Sequence, residues 1–519
     1  MLYHQFMLTN IAIIGFGVIG TEILSVLGNR YKRKKKLNII IVEKNLKNIP
    51  GGEAYSEHQS KFGFFNNPLR ISNPEFVRWL KKKENIKKLC KLSTNKKYDL
   101  KDWLKINAFF CEHKLNKFDE LYVPRFFYSF FLKEKILNIF KNHKKKIRIS
   151  IIKGELDSIK SEKTNFCNLK KYSSKYLFSF KNDRIIFKKT NFKIKFFKTE
   201  NIVIGTGIIP PEKISSKNKI INKNYINDFY GSRGTYNLIH KIKTKLQKKN
   251  IVKIIFIGNK AGLLEAMPEL QKLNNKFQKR IKIICISRSS VSLEKAELSK
   301  NYKKLKLKIY ENLKDKKIKK AIHLYDYVIK EFENGKKSGF SKYDIWTTIL
   351  KKKVLNKLYK SLSYEEKNNY NEHVFTKIRN ITRYTYPATV IAKEQLEKNK
   401  TLKFVTDRVY KLEEINKKLI VISKKNKRII GDIVINVSGP SNLLSNNTHL
   451  NYLESLKKIS EKFTNRGFLT NSFFLLKNNI YIPGSLSINF NPNRLTIIRA
   501  ITQNAHKVAT KISNIYNKK

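Results

Sequence analysis

"IAIIGFGVIGTEIL", residues 11–24, sets the architecture of the chain. A β-branched run, Ile11 to Ile14, leads into Gly15-x-Gly17-x-x-Gly20 and then into an apolar pattern of helical spacing. Glycine at the first position permits a tight turn. At the second it lets the backbone come close to a pyrophosphate, and at the third it lets helix and strand pack closely. Such a pattern alone is a weak signal. Here it follows a strand, opens a helix and is succeeded by "LNIIIVEKN", residues 37–45, a second strand that ends in Glu43. This order predicts a nucleotide-binding βαβ unit, with phosphate at the helix N-terminus and Glu43 accepting ribose hydroxyls. The alternative is a tight turn with no ligand.

The pattern recurs. In "KIIFIGNKAGLLEAM", residues 253–267, Gly258 falls on Gly15, and Glu265 on Glu22, each acid seven residues after its glycine. The strand that follows, "IKIICISRSS", ends in Ser287, Arg288 and Ser289 rather than in an acid. Arg and Ser can bind a 2′-phosphate that a glutamate would repel, so this half leans to NADPH over NADH. Lys260 replaces the second glycine, and Gly262 stands one step before Leu263. The lysine stem crowds the phosphate approach, while its ammonium can pair with a phosphate oxygen. Three readings stay open: an NADPH site of reduced affinity, reduction by another donor, or a domain kept only for shape.

Each copy has a downstream echo, "ENIVIGTGIIPPE" (200–212) and "GDIVINVSGPSN" (431–442). Both are apolar strands that end in a small residue, a glycine and then proline. Turn, strand-Gly, turn, strand-Gly is the order expected when one dinucleotide-binding domain is inserted into another.

Composition bounds the alternatives. A chain of 519 residues exceeds one core, and 41% apolar residues supply packed layers. The formal charge of +69 is mostly lysine, spread evenly rather than clustered on one element with stacking aromatics. That predicts salt-sensitive stickiness but no specific nucleic-acid site. Cys90, Cys111, Cys167 and Cys285 show no C-x-x-C pair and no metal spacing, which fits a reducing cytoplasm and argues against a zinc site or dithiol reductase. No transmembrane span is expected. Of the nine histidines, His113, His143, His323, His373 and His506 show no partner pattern.

Between the first turn and its echo lies "GGEAYSEHQSKFGFFNNPLRISNPEFVRWL", residues 51–80. It resembles the FAD/NAD(P)-binding family that includes FAD-dependent urate hydroxylase and the aspartate N-monooxygenase of nitrosuccinate formation. The matches to that family are Gly52, Ala54, Tyr55 and Ser56, then Asn66 and Pro68, Ser72, and Phe76 with Trp79-Leu80. "LYVPRFFYSFFL" is similar to its Pro-Arg-x-x-Tyr segment, with Pro124, Arg125 and Tyr128 matching. The two echoes, "RYTYPATVIAKEQL" (383–396) and the closing stretch 479–509 continue the likeness in order. Arg383-Tyr384-Thr385 keeps only the first residue of the family's Arg-His-Arg, and Gly484-Ser485 stands where the wider group often has Gly-Asp.

The resemblance implies an α/β protein: a Rossmann-like FAD-binding domain in two pieces, 10–215 and 430–519, around an inserted Rossmann-like NAD(P)-binding and helix-rich domain, 236–425. It implies FAD held by Gly15, Gly17, Gly20, Glu43, Tyr55, Asn66, Arg125, Gly205, Thr206, Gly207 and Gly484, and NADPH at Gly258, Gly262, Ser287 and Arg288. Arg125 has the alternative of a salt bridge at a domain seam. Arg383 is the candidate contact for an anionic substrate or cofactor, with a helix-start salt bridge as its alternative. The implied activity is hydroxylation of a small amine or electron-rich ring with dioxygen, through a C4a-hydroperoxyflavin. A flavin dehydrogenase, reductase or oxidase without oxygen insertion is the rival reading. A non-enzymatic polyanion-binding protein is the second.

Overall fold

The computed structural model describes residues 8–57, 63–95, 98, 100–143, 146–162, 164–181, 184–207, 209–214, 222–231, 233–259, 261–288, 294–295, 299, 301–313, 318–352, 354–382, 384–416, 418–439, 443, 451–460, 462–464, 467–487 and 497–518. Lys260 and Arg383, both singled out in the sequence, lie outside these residues, as does Ser289.

Two sheets carry the chain. The first contains β1 (Leu8–Ile14), β2 (Leu37–Glu43), β3 (Ile147–Lys153), β4 (Leu156–Ser161), β5 (Asn165–Lys181) and β6 (Arg184–Ile204). The second contains β7 (Tyr225–Ile226), β8 (Val252–Ile257), β9 (Ile281–Ser287), β10 (Leu402–Thr406) and β11 (Ile433–Asn436), and β12 (Ile480–Tyr481) returns to the first. The orders are β12-β6-β1-β2-β3-β5-β4 and β10-β9-β8-β11-β7. Every pairing in the second sheet is parallel. In the first, the β12-β6-β1-β2-β3 block is parallel, and β5 runs antiparallel to its neighbours.

The apolar runs explain the burial. Ile11 and Ile13 enter one core with Ile39, Ile41 and Ile151. Ala12 and Ile14 enter another with Ile40, Val42 and Ile152. Side chains alternate across a strand, so a run apolar at every position is covered on both faces, as parallel strands require. In β8 the same alternation sends Ile254 and Phe256 one way and Ile255 and Ile257 the other. α1 (Val18–Arg30) follows β1 and packs under α2 (Ile497–Lys518), the last helix, whose Ala505, Val508, Ala509 and Ile512 join its core.

The echoes are structural. Gly205 N–H donates to Ile14 O at 2.8 Å, and Val437 N–H donates to Ile257 O at 2.8 Å. Each echo strand therefore lies beside the strand of its own turn: β6 beside β1 and β11 beside β8. The expected Rossmann-like domain with a second one inserted is the observed architecture. Its boundaries move, because β7 and β11 are both strands of the second sheet. The stretch 236–425 leaves both out, and the chain changes sheet before Tyr225 and after Asn436. A two-residue strand such as β7 has no periodicity to read.

Two further findings correct the sequence reading. Cys90 and Cys111 are joined in a disulfide between the helices Lys83–Ser93 and Ala108–Cys111, while Cys167 and Cys285 are buried and free. His506 does have a partner: its Nε2 lies 3.0 Å from Glu22 Oε2, which also accepts from Lys135 Nζ at 2.8 Å. Burial opposes ionisation of Glu22, but His506 and Lys135 outweigh it and hold the carboxyl below its ordinary range. A depressed pKa adds stability above the unfolded value and loses it as pH falls through the folded one, so this cluster gives way only in acid. Among the described residues no helix is long and apolar enough to cross a membrane, and no His/Cys/Asp/Glu group has metal-site geometry.

At Gly258, with φ +97°, a Cβ would stand 2.5 Å from Ser438 Cα. Gly258→Ala combines overpacking with a left-handed backbone, and we expect a loss of about 2–4 kcal/mol in urea unfolding. Gly339, at φ +78° with no atom within 4 Å of a Cβ, isolates the backbone part: Gly339→Ala should cost only about 1 kcal/mol. Equal losses at both positions would contradict the close contact.

Candidate functional site

The two turns are built alike. Gly15 N–H donates to Val42 O at 2.8 Å and Gly258 N–H to Ile286 O at 2.7 Å, so the next residues, Glu43 and Ser287, occupy equivalent strand tips. Gly15, at φ +92°, faces Gly205: a Cβ would sit 2.9 Å from the Gly205 carbonyl oxygen. Gly20 plays the packing part, since a Cβ there would meet Gly15 O at 2.6 Å and the Phe16 ring at 3.0 Å.

Gly17 is different. It is the N-cap of α1 and offers no side-chain cap, and the first turn holds no acid. The free amides there and the helix dipole favour an anion. A Cβ on Gly17 would make only ordinary contact, 3.4 Å from Gly52 Cα. Gly51 (φ +107°) and Gly52 (φ +65°) shape that opposite wall. Gly207, at the far end of the β6 echo, has no atom within 4 Å of a Cβ position. Gly484 lies alongside, with Thr206 O 3.8 Å from its Cβ position, and Ser485 Oγ donates to Gly207 O at 3.1 Å. Thr206 Oγ1 and Tyr452 OH are hydrogen-bonded at 2.8 Å, fixing the strand end from behind. Backbone faces with uncapped amides between them make a cradle of the kind a diphosphate needs.

Glu43 closes the cradle. Its Oε2 accepts from Phe16 N–H at 2.8 Å and its Oε1 from Asn45 N–H at 2.9 Å. Burial pushes this carboxyl up, and the backbone donors Asn45 and Phe16 pull the other way. A carboxylate has about four acceptor sites, so two bonds to the backbone leave room for sugar hydroxyls.

The flavin-side residues named from sequence gather less uniformly. Tyr55 is packed edge-on to Phe65 at 6.0 Å and lies 5.7 Å from the Tyr128 ring. Asn66 is exposed. Arg125 makes the domain-seam salt bridge: its Nη1 is 2.6 Å from Glu265 Oε2, and its Nε donates to Phe64 O at 2.9 Å. Both side chains of the pair are mostly buried, at 12% and 6% exposure. The fork that sequence aimed at a phosphate or ring carbonyl is here committed to the second domain. A sequence cannot show this, because any carboxylate of the chain is a possible partner.

In the second turn Gly258 abuts Ser438 as Gly15 abuts Gly205, and a Cβ on Gly262 would meet Val437 Cγ1 at 2.7 Å and Phe229 at 2.9 Å. Gly262 thus lets α3 (Ala261–Lys276) approach the echo strand. Asn259 Nδ2 donates to Ser287 Oγ at 3.1 Å. Arg288 is exposed at the strand tip, free to meet an incoming anion from solvent.

Residues 12–179 match the sequence model of a family described as FAD-NAD(P)-binding. No curated protein matches the chain by sequence. Among solved structures, the reduced form of ornithine hydroxylase from Pseudomonas aeruginosa is similar at 12% identity and TM-score 0.51, covering 98% of this chain and 99% of that one. The FAD-bound cadaverine monooxygenase of desferrioxamine biosynthesis from Erwinia amylovora is similar at 10% identity and TM-score 0.51, covering 98% and 95%. The likeness extends over both sheets and is one of fold.

Gly17→Ala separates cradle from fold. Its Cβ fits the protein, so stability should change by less than about 1 kcal/mol. Retained FAD should fall by roughly ten-fold or more, because a backbone approach to phosphate is blocked. Flavin absorbance relative to protein reads the result, and unchanged flavin content would show that the diphosphate does not lie there.

Proposed function

We propose that the chain is an FAD-dependent, NADPH-using monooxygenase that hydroxylates a small amine. The observation that carries this reading is the pair of equivalent turns in one chain, with a bare helix N-terminus under Glu43 in the first and an exposed arginine at the tip of the second. Both similar structures named above come from enzymes whose names give a small aliphatic amine as substrate. A cytoplasmic setting, where NADPH is supplied, goes with the proposed cofactor, whereas the Cys90–Cys111 disulfide removes the cysteine-based argument for it.

FAD, when bound, supplies the hydride-accepting and oxygen-activating chemistry that amino-acid side chains lack. The chain's own residues bind and orient. Gly15, Gly17 and the first amides of α1 would hold the diphosphate, and Glu43 the ribose. Gly205, Thr206 and Gly207 would line one side and Gly484 another, with Tyr55 and Asn66 beyond the ring. Ser287 and Arg288 would take the 2′-phosphate of NADPH, with Gly258 and Gly262 letting the turn and α3 close against the echo strand. Arg125 positions rather than touches: through Glu265 it holds α3 of the second turn against the segment that carries Phe64. Arg383 remains our candidate for contact with an anionic part of the substrate.

The purified protein should be yellow and should oxidise NADPH with matching uptake of oxygen when given ornithine, lysine or cadaverine, with hydroxylated amine as product. Peroxide as the sole product would identify an oxidase or reductase. A colourless, folded protein that takes up no FAD would end the proposal. Arg288→Ala should lower the preference for NADPH over NADH by roughly ten-fold, the worth of one charge-assisted contact, measured as the ratio of kcat/KM for the two nucleotides.

A further inference from the structure

Arg70 follows the Phe64–Pro68 segment by two residues, in the short 3-10 turn Leu69–Ile71. Its guanidinium carbon lies over the Tyr302 ring, 4.5 Å from the centroid, and over the Tyr343 ring at 5.7 Å. Tyr343 belongs to α4 (Lys342–Lys351) and packs edge-on against Tyr384 at 5.0 Å. The site therefore joins the flavin-side segment of the first domain to the helical part of the second.

The side chain is not satisfied there. Nε and Nη2 of Arg70 are both buried and neither has a hydrogen-bond partner. These two nitrogens form one edge of the guanidinium, and their N–H bonds run parallel. The Tyr343 hydroxyl is buried and stands within hydrogen-bonding reach of the guanidinium, without the alignment of a formed bond. The neighbouring carboxylate, Asp344, is spent: Oδ2 accepts from the Ser299 and Ser341 amides, each at 3.1 Å, and from the Ser341 hydroxyl at 2.8 Å. Among the described residues Arg70 has no ion-pair partner. Leaving buried charged donors unmade costs more than most single contacts return, so such groups call for a partner from outside the chain. Ring contacts satisfy the guanidinium face, not its edge.

We propose that the Nε–Nη2 edge of Arg70, with the Tyr343 hydroxyl, is a bidentate binding site for a carboxylate, and that this carboxylate belongs to the amine that the enzyme hydroxylates. A planar carboxylate matches the parallel donors of the guanidinium edge, and a phenol can add a third bond to either oxygen. The location agrees: Phe64, six residues before Arg70, stacks on Tyr386 at 5.1 Å, two residues after Tyr384. The same two chain segments thus bound the flavin side and the anion site. The substrate half of this inference rests on the proposed function, whereas the carboxylate site itself stands on the geometry alone.

Calorimetry on the FAD-loaded protein tests it, using L-ornithine, L-lysine and L-aspartate, each against the amine that lacks its α-carboxylate. At least one acid should bind more tightly than its amine by roughly ten- to a hundred-fold, the range of charged hydrogen bonds. Arg70→Met should abolish that preference at unchanged flavin content. Tyr343→Phe, which removes one oxygen and keeps the packing, should weaken the acid several-fold and guards against a misfolded Arg70 variant. Equal binding of acids and amines, no binding of any acid at millimolar concentration, or an Arg70→Met protein that keeps the preference would each overturn the site. So would an Arg70→Met protein whose loss is in NADPH affinity, since the edge would then serve a phosphate. Binding needs neither oxygen nor turnover. A protein that binds acids through Arg70 yet yields only peroxide would refute the oxygenase reading and leave the site intact.

Discussion

Everything in this architecture depends on main chain lying against main chain at two strand-to-helix turns. Gly15 meets the carbonyl of Gly205, and Gly258 meets the backbone of Ser438, at separations where even a methyl group does not fit. The consequence is a helix whose first amides look into open space bordered by backbone rather than by side chains. That geometry favours an anion that approaches closely, and it is produced by the absence of side chains as much as by their presence. Two such turns in one chain, each clamped by the strand end downstream of it, make a pair of dinucleotide cradles the simplest physical account.

Buried charge then decides how the parts are joined. Glu22 and Glu265 stand at equivalent positions after their turns, and both are ion-paired to the 121–143 region, Glu22 through Lys135 and Glu265 through Arg125. Each pair carries a desolvation penalty that its partner offsets only while geometry holds. Removing one member would therefore cost more than the pair contributes as a whole. The two glutamates make the segment that carries Arg125 and Lys135 the common anchor of both helices.

Much of this was legible in the residues themselves. The glycine spacing, the strand that ends in Glu43 and the two echoes all reflect backbone needs, and such needs leave a local pattern. Pairings between distant side chains leave none: His506 finds Glu22 across 484 positions, and Cys90 finds Cys111 with no spacing signal beyond a separation of 21. Arginine is scarce in a chain rich in lysine, which marks out Arg125 within its family-like segment, yet its partner Glu265 lies in the other domain. Arg70 carries no such mark. Its interest lies in what it lacks, and unmet hydrogen bonds cannot be read from a string of letters.

The Arg125–Glu265 contact also ties the two halves together. It does so alongside Lys272–Asp102, the Phe64–Tyr386 stack and Arg70 over Tyr302. Moving the halves apart would have to expose this mostly buried pair together with those contacts. A single salt bridge next to the second turn thus shares the task of holding two nucleotide-type units at a set spacing.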